Sequence, residues 1–265
     1  MAYQLSDINA AVRRDPVGFM EECDQGYQDK IARAAEKICE NMSKSPVVLL
    51  SGPSGSGKTT TAEKLSQELE RRGVRTHAVS MDDYFLRPDL EGAPRTPGGA
   101  IDYESPEMMD LKLLDEHFAK LTRGEFTSRH PDATRLYVSA RSDVKGEDGR
   151  VMFKRTWLRL TRRAVRDYNF RGTDVGGTLD MWANVRRGEK LYISPYKDTA
   201  HIKFDTALAY EAPVMACYAK PIMEAVPGEN QRRGELLQLV AALDRFEPID
   251  PGLVPPESLL HEFIG

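Results

Sequence analysis

The feature that most constrains this chain is Gly52-Pro53-Ser54-Gly55-Ser56-Gly57-Lys58-Thr59, which fits the pattern G-x-x-x-x-G-K-[ST]. It stands between a short apolar run over residues 46–50 and a helix-forming stretch over 59–72. Glycines at these places let backbone N–H groups converge on phosphate oxygens with no Cβ in the way. Lys58, opening the helix, reaches the β- and γ-phosphates, and the helix N-terminus adds the positive end of its dipole. Thr59 offers its hydroxyl to Mg²⁺. The expected ligands of this turn are therefore a nucleoside triphosphate and Mg²⁺. Gly52, Ser54, Gly55, Ser56, Gly57, Lys58, Thr59 and Thr60 are the expected nucleotide-binding residues. A chance glycine-rich turn is the competing explanation, and a strand before it with a helix after it makes that a poor one.

The run over 46–50 is continuous and rich in β-branched residues, so it predicts a strand buried on both faces of a parallel sheet. Gly73 stops the following helix, and residues 74–80 predict the next strand. Strand, turn, helix and strand in that order form a βαβ unit and imply an α/β fold. The expected architecture is a P-loop NTPase three-layer sandwich with a mostly parallel sheet. Residues 1–45 are expected as an N-terminal helical segment, with Ile31, Ala34, Ala35 and Ile38 on one face. Residues 46–265 are expected as one P-loop domain, with a lid over about 154–190 and a helical C-terminal tail. Within it, Ser105-Pro106-Glu107 has the signature of a helix start, and that helix is expected to reach about Leu121 and stop at Gly124. Residues 87–99 form a Pro/Gly-rich loop. Strands are expected at 136–140 and 213–219, and helices at 154–170, 174–189 and 229–245.

Composition narrows the partners. The formal net charge is −4 and the pI about 5.8, which argues against general affinity for nucleic-acid backbone. Three cysteines, Cys23, Cys39 and Cys217, fit reduced cytosolic thiols and offer no zinc spacing. No apolar run approaches the roughly 20 residues that span a bilayer, and the N-terminus has no signal core. The expectation is a cytoplasmic protein acting on a small molecule, without nucleic acid or membrane partners. A homo-oligomer is compatible with it.

A GTPase, an ATPase and a small-molecule kinase share this loop, so other residues must decide. No N-K-x-D-like guanine-reading motif is present. Asp82 and Asp83 follow the predicted strand 74–80, at the sheet edge where α/β folds bind ligands. A carboxylate there accepts a hydroxyl proton and helps to hold Mg²⁺ through water. An isolated loop acid is otherwise a common turn-former. Asp102 and Glu104 precede the capped helix and suit a polyhydroxylated acceptor such as a ribose, or else an acidic solvated turn. Arg155, Arg159, Arg162, Arg163 and Arg166 recur at three- and four-residue spacing, followed by Arg171. Like charges so spaced oppose a helix unless an anion neutralises them. A transferring phosphate would do so. A solvated face paired with Asp167 and an RNA-binding face are the alternatives.

GPSGSGKTT, VSMDDYF, DYESPEMMDL, RLTRRAVRDYNFRG and VPPESLLHEFIG occur here in that order. In these motifs the chain resembles the uridine kinase/phosphoribulokinase family, in particular its bacterial uridine kinase-like nucleoside kinase branch, from about Leu5 to Gly265. The resemblance implies ATP-dependent phosphorylation of a small-molecule hydroxyl, in uridine kinases the 5′-OH of uridine or cytidine. It puts the catalytic aspartate, which also helps to hold Mg²⁺, at Asp82. The acceptor acid falls at Glu104, with Asp83, Tyr84 and Asp102 beside it. Lys58, Arg163 and Arg166 join Asp82 as catalytic groups, and Arg171 completes the lid on the nucleotide.

The chain also departs from the family. Members of that branch often carry N-terminal domains similar to parts of threonyl-tRNA synthetase, which this sequence does not show. Thr173 replaces the second arginine of the lid's R-G-R, and Met181 stands near the base-reading glutamine. The family's acceptor-pocket hairpin, and an apolar strand ending in a Mg²⁺-associated Glu-Gly, are expected between Phe126 and Asp132. The sequence runs instead from Gly124 through His130 straight into the strand at 136–140. Loss of a buried parallel strand would leave backbone groups and apolar faces unpaired. Two readings follow from the sequence: a nucleoside kinase, or a nucleotide-binding protein without transferase activity.

Overall fold

The computed structural model describes residues 2–87, 92–122 and 131–265, the side chains of 121 and 122 aside. The hairpin and acid are expected between Phe126 and Asp132, and of that stretch residues 126–130, His130 among them, lie outside the described residues, as does the helix stop at Gly124.

The N-terminal segment opens with a strand the sequence reading did not anticipate, β1 (Ala2–Gln4), and continues as α1 (Leu5–Arg14) and α2 (Pro16–Asn41). Asp15 starts α2 by accepting the Gly18 N–H at 3.0 Å, with Pro16 in the first turn. Ile31, Ala34, Ala35 and Ile38 are all buried, as their spacing predicts. The P-loop strand β2 (Val48–Ser51) leads through the glycine turn into α3 (Lys58–Arg71), and Gly73 follows the helix at φ +83°.

Residues 74–80 are not the expected strand. They run without a ladder and are largely exposed. Two 3-10 turns, Met81–Tyr84 and Pro106–Met108, precede α4 (Leu111–Thr122). The helix expected from Ser105 thus begins as a single turn, capped by Ser105 on the Glu107 N–H. It restarts where the Asp110 carboxylate accepts the Leu113 N–H at 2.9 Å.

The chain continues with β3 (Thr134–Ser139), β4 (Asp143–Lys145), β5 (Val151–Phe153), α5 (Arg155–Phe170) and α6 (Val175–Gly188). After the turns Glu189–Ile193 and Ser194–Thr199 come β6 (Ile202–Asp205), α7 (Glu211–Glu224), α8 (Arg233–Leu243) and α9 (His261–Ile264). The strand expected at 213–219 lies inside α7. A short apolar run is ambiguous between a buried strand and a buried helix, and here Val214, Met215 and Ala219 are buried on a helix.

Among the described residues two three-stranded sheets form, β2-β3-β6 and β1-β4-β5. The first is wholly parallel, with Leu50 opposite Leu136 and Val138 opposite Phe204. This confirms an α/β fold with a parallel sheet, consistent with a P-loop NTPase kinase. The ladder from β1 to β4 is parallel and that from β4 to β5 antiparallel. On one face of the first sheet, buried Leu136, Val138 and Phe204 meet α2, where Tyr27 packs edge-on against Phe204 at 5.5 Å. Tyr137, Ser139 and Lys203 point to the other face, toward α5. β2 differs from its expectation of burial on both faces. Val48, Leu49 and Leu50 are only half-buried, because β3 is the one strand that pairs with β2 among the described residues. No helix among the described residues is long and apolar enough to cross a membrane.

One buried network ties α2 to the C-terminal tail. Tyr210 donates to Asp24 at 2.9 Å and shares a 2.5 Å hydrogen bond with Ser258. Burial pushes the Asp24 carboxyl up to about 6 from its ordinary 3.8, against the Tyr210 hydrogen bond and the Lys64 charge. Between those values the unfolded carboxyl has lost its proton while the folded one keeps it. The native state then binds more protons, so this group makes stability fall as pH rises from about 4 to about 6. Asp24→Asn should gain stability relative to the parent across that window, read as melting temperature against pH. Parallel curves would contradict it.

Candidate active site

The turn between β2 and α3 is shaped by close approaches. A Cβ on Gly52 would lie 2.0 Å from the Val138 carbonyl oxygen of β3. Gly57 caps α3 at φ +79°, a conformation most side chains disfavour. The outer carbonyls of the turn are held by α5: Arg159 Nε donates to Ser54 O at 2.9 Å, and Arg162 Nη1 to Gly55 O at 3.2 Å. In a trans peptide C=O and N–H point opposite ways, so the N–H groups of Gly55 and Ser56 face away from α5. Neither has an acceptor among the described residues. The buried Ser56 hydroxyl also lacks a partner. Orphan donors beside a lysine at a helix N-terminus fit a polyphosphate.

Lys58 donates to the Pro53 carbonyl at 3.2 Å. Burial lowers its pKa, the Asp82 and Glu262 charges oppose that, and Arg159 and Arg166 add to it. Thr59, in the first turn of α3, is exposed. Asp82 and Asp83 lie on the turn Met81–Tyr84, and the Asp82 N–H is capped by Ser80 Oγ at 3.3 Å. The two acids part company. The Asp82 charge bears on Lys58, whereas Asp83 lines an open groove with Tyr84, His117 and Lys120. In that groove the Tyr84 hydroxyl is bonded to His117 Nδ1 at 3.1 Å.

Asp102 is buried and paired with Arg187 at 2.5 Å. Glu104 sits two residues on, and its side chain fills the space where a Cβ on Gly188 would fall. Burial raises the Glu104 pKa. Arg163 and Lys58 pull it down, while Glu189 and Asp102 add to the rise. Glu104 therefore faces the lysine of the glycine turn and Arg163 of α5.

Arg155, at the start of α5, stands apart; the other arginines of that helix, with Arg171 just after it, divide into two sets. Arg159 and Arg162 are buried beneath the turn, Arg159 against Glu189 and Arg162 against Glu211. Arg163, Arg166 and Arg171 gather on buried Asp167, at 3.2, 2.6 and 3.6 Å. Arg163 also donates to Ser54 Oγ at 2.8 Å. Its Nε, 3.2 Å from Asp167 Oδ2, is paired by charge but makes no hydrogen bond there. The helical face that the spacing leads one to expect most of these arginines to share is thus a supporting pair plus a facing trio.

One residue was missed. Glu262 Oε2 accepts both the Thr60 N–H at 3.2 Å and the Thr60 hydroxyl at 2.6 Å. The segment HEFIG was legible as a motif, but nothing in it signals contact with the start of α3. Among the described residues no cluster of three or more His, Cys, Asp or Glu forms a metal cage. Mg²⁺ bound beside phosphates needs only one or two protein ligands, and Thr59 and Asp82 are donors of the right kind.

Comparison with known proteins agrees with the motifs. Residues 47–137 match the Phosphoribulokinase / Uridine kinase family, which bears out the resemblance read from the sequence. The chain is 26% identical over 180 residues to the uridine kinase of Leuconostoc citreum, covering 59% of this chain and 85% of that protein. It is 27% identical over 186 residues to the uridine kinase of a Geobacillus species, covering 61% and 86%. It is also 24% identical over 143 residues to the ATP-dependent Clp protease ATP-binding subunit ClpE of Lactococcus lactis, but spans only 19% of that protein.

Proposed function

We propose that this chain, whose residues 47–137 carry the phosphoribulokinase/uridine kinase signature, is an ATP-dependent kinase that transfers the γ-phosphate to a nucleoside hydroxyl. The observation that carries this reading is the meeting of Lys58, Asp82, Glu104 and the Asp167-bound arginines around one glycine turn with orphan N–H groups. In it, the Gly55 and Ser56 amides and Lys58 bind the phosphates. Thr59 and Asp82 hold Mg²⁺, which supplies charge neutralisation when bound. Asp82 takes the proton of the acceptor hydroxyl, and Glu104 accepts hydrogen bonds from the sugar. Arg163 and Arg166 stabilise charge on the transferring group, with Arg171 at the rim. Thr173 and Met181 stand where a uridine-reading site would carry arginine and glutamine, so the assignment is to nucleosides as a class.

The test is a panel of nucleosides incubated with Mg·ATP and resolved by chromatography. Conversion of at least one to its monophosphate is expected. ADP formation that no nucleoside accelerates would contradict the proposal. A specific observation favours the second reading, nucleotide binding without transfer: among the described residues β2 pairs on one side only, and residues 74–80, which lead into Asp82, form no strand. Under that reading ATP binds and no nucleoside is consumed.

Glu262 adds a further expectation. Its carboxylate holds two donors of the first turn of α3, where a phosphate oxygen of the nucleotide would compete for them. Glu262→Gln should tighten Mg·ATP binding several-fold in a fluorescent-nucleotide titration. Unchanged or weaker binding would show that Glu262 supports the site.

A further inference from the structure

A second cavity, of about 200 Å³, lies on the sheet face that carries Tyr137, Ser139 and Lys203, walled by the start of α5 and the turn Ser194–Thr199. None of Lys58, Asp82, Glu104, Arg163 or Arg166 lines it. Six cations and two carboxylates do, in a protein whose formal net charge is −4. Both carboxylates are already engaged. Glu189 is held by Arg159 and Arg186, and Asp198 by Lys203 at 2.6 Å. Arg141, Arg155 and Lys197 are left with no ion pair among the described residues.

The placement is electrostatically unfavourable without a ligand. Arg155 opens α5, whose first turn has no acidic residue, so its charge sits at the positive end of the helix dipole. Tyr137 and Ser139 add hydroxyl groups at the floor. Arginine and lysine clustered beside hydroxyls at a helix start are the donor set that recognises a phosphate dianion. The volume is below the 300–1,000 Å³ typical of pockets that bury drug-sized ligands, so it suits a small phosphate ester better than a whole nucleotide. We infer that this cavity is a second anion site, taking the phosphate group of a small phosphate monoester. Arg159 links it to the glycine turn, since the same side chain lines the cavity and donates to Ser54 O.

Calorimetric titration of the full chain with glycerol phosphate, inorganic phosphate and sulfate separates the sources. Glycerol phosphate is expected to bind more tightly than inorganic phosphate, and sulfate more weakly than either. Arg141→Gln/Arg155→Gln should weaken glycerol phosphate binding at least about tenfold, as loss of charge-assisted hydrogen bonds implies. Lys58→Ala should leave it unchanged. Both arginines are exposed and unpaired, so the double variant should fold. If it does not, Lys197→Gln, also exposed, provides the same reading. Binding that is lost in Lys58→Ala and kept in the arginine variant would assign the anion to the glycine turn and overturn the inference. Absence of glycerol phosphate binding, or equal binding of all three anions, would also overturn it.

Discussion

Arg162→Met is expected to destabilise the protein by about 3–5 kcal/mol, the usual consequence of removing one partner of a buried ion pair. Arg162 is fully buried, and Glu211, also buried, accepts from its Nε at 2.7 Å and its Nη2 at 2.5 Å. The same guanidinium serves Gly55 O and the Thr206 hydroxyl and carbonyl, and stacks 4.9 Å over Phe263. Burial opposes its charge, but Glu211 more than offsets this, so the guanidinium is held firmly charged. Without it a carboxylate remains in the core with, among the described residues, the Leu208 N–H as its one other donor. Arg162→Met/Glu211→Leu removes both charges and should recover most of the loss. Urea unfolding with an unchanged slope is the measurement. A single-variant loss below about 1 kcal/mol, the scale of a surface pair, would contradict the account.

Asp82→Asn is expected to reduce phosphate transfer by about 10²–10⁴-fold, the range for loss of a positioned general base. Asparagine keeps the size and the hydrogen-bonding amide oxygen but cannot take up a proton at neutral pH. The residue is exposed on a 3-10 turn capped by Ser80, so folding should be unaffected. The fall should appear in kcat more than in KM for ATP. Asp83→Asn is the internal contrast. Asp83 faces the groove of His117 and Lys120 instead of Lys58, so its substitution should act on acceptor KM, or on nothing, and leave kcat nearly intact. Equal losses of kcat in both variants would mean that the two acids act as one unit.

The parts of this molecule that were legible in the sequence are those fixed by local chemistry. The glycine turn, the Ser105 cap, the Gly73 stop and the helices α3, α5 and α6 all follow from spacing and turn residues. The failures have physical causes. Residues 74–80 have strand composition, yet a strand needs a neighbour, and β2 offers no described partner on that side. Pro213 looked like a strand boundary but occupies the first turn of α7, where a missing N–H costs nothing. The strands β4, β5 and β6 were missed because three or four residues carry too little periodicity.

At the site, sequence spacing found the arginines but could not divide them. Arg162 and Arg163 are adjacent, yet one supports the glycine turn from beneath and the other reaches Ser54 Oγ. That division depends on Glu211 and Asp167, one of them on a different helix. Glu262 was invisible for a related reason: its contact with Thr60 joins residues 202 positions apart.

The central claim is that a phosphate held at the glycine turn is passed to a nucleoside. It is tested most directly by a single turnover with γ-labelled ATP, Mg²⁺ and a nucleoside, comparing the parent with Lys58→Ala. The account predicts label in a nucleoside monophosphate with the parent protein and at least about 10²-fold less with the variant, as for loss of one preorganised charge. Label found only in unreacted ATP or in free phosphate would contradict it.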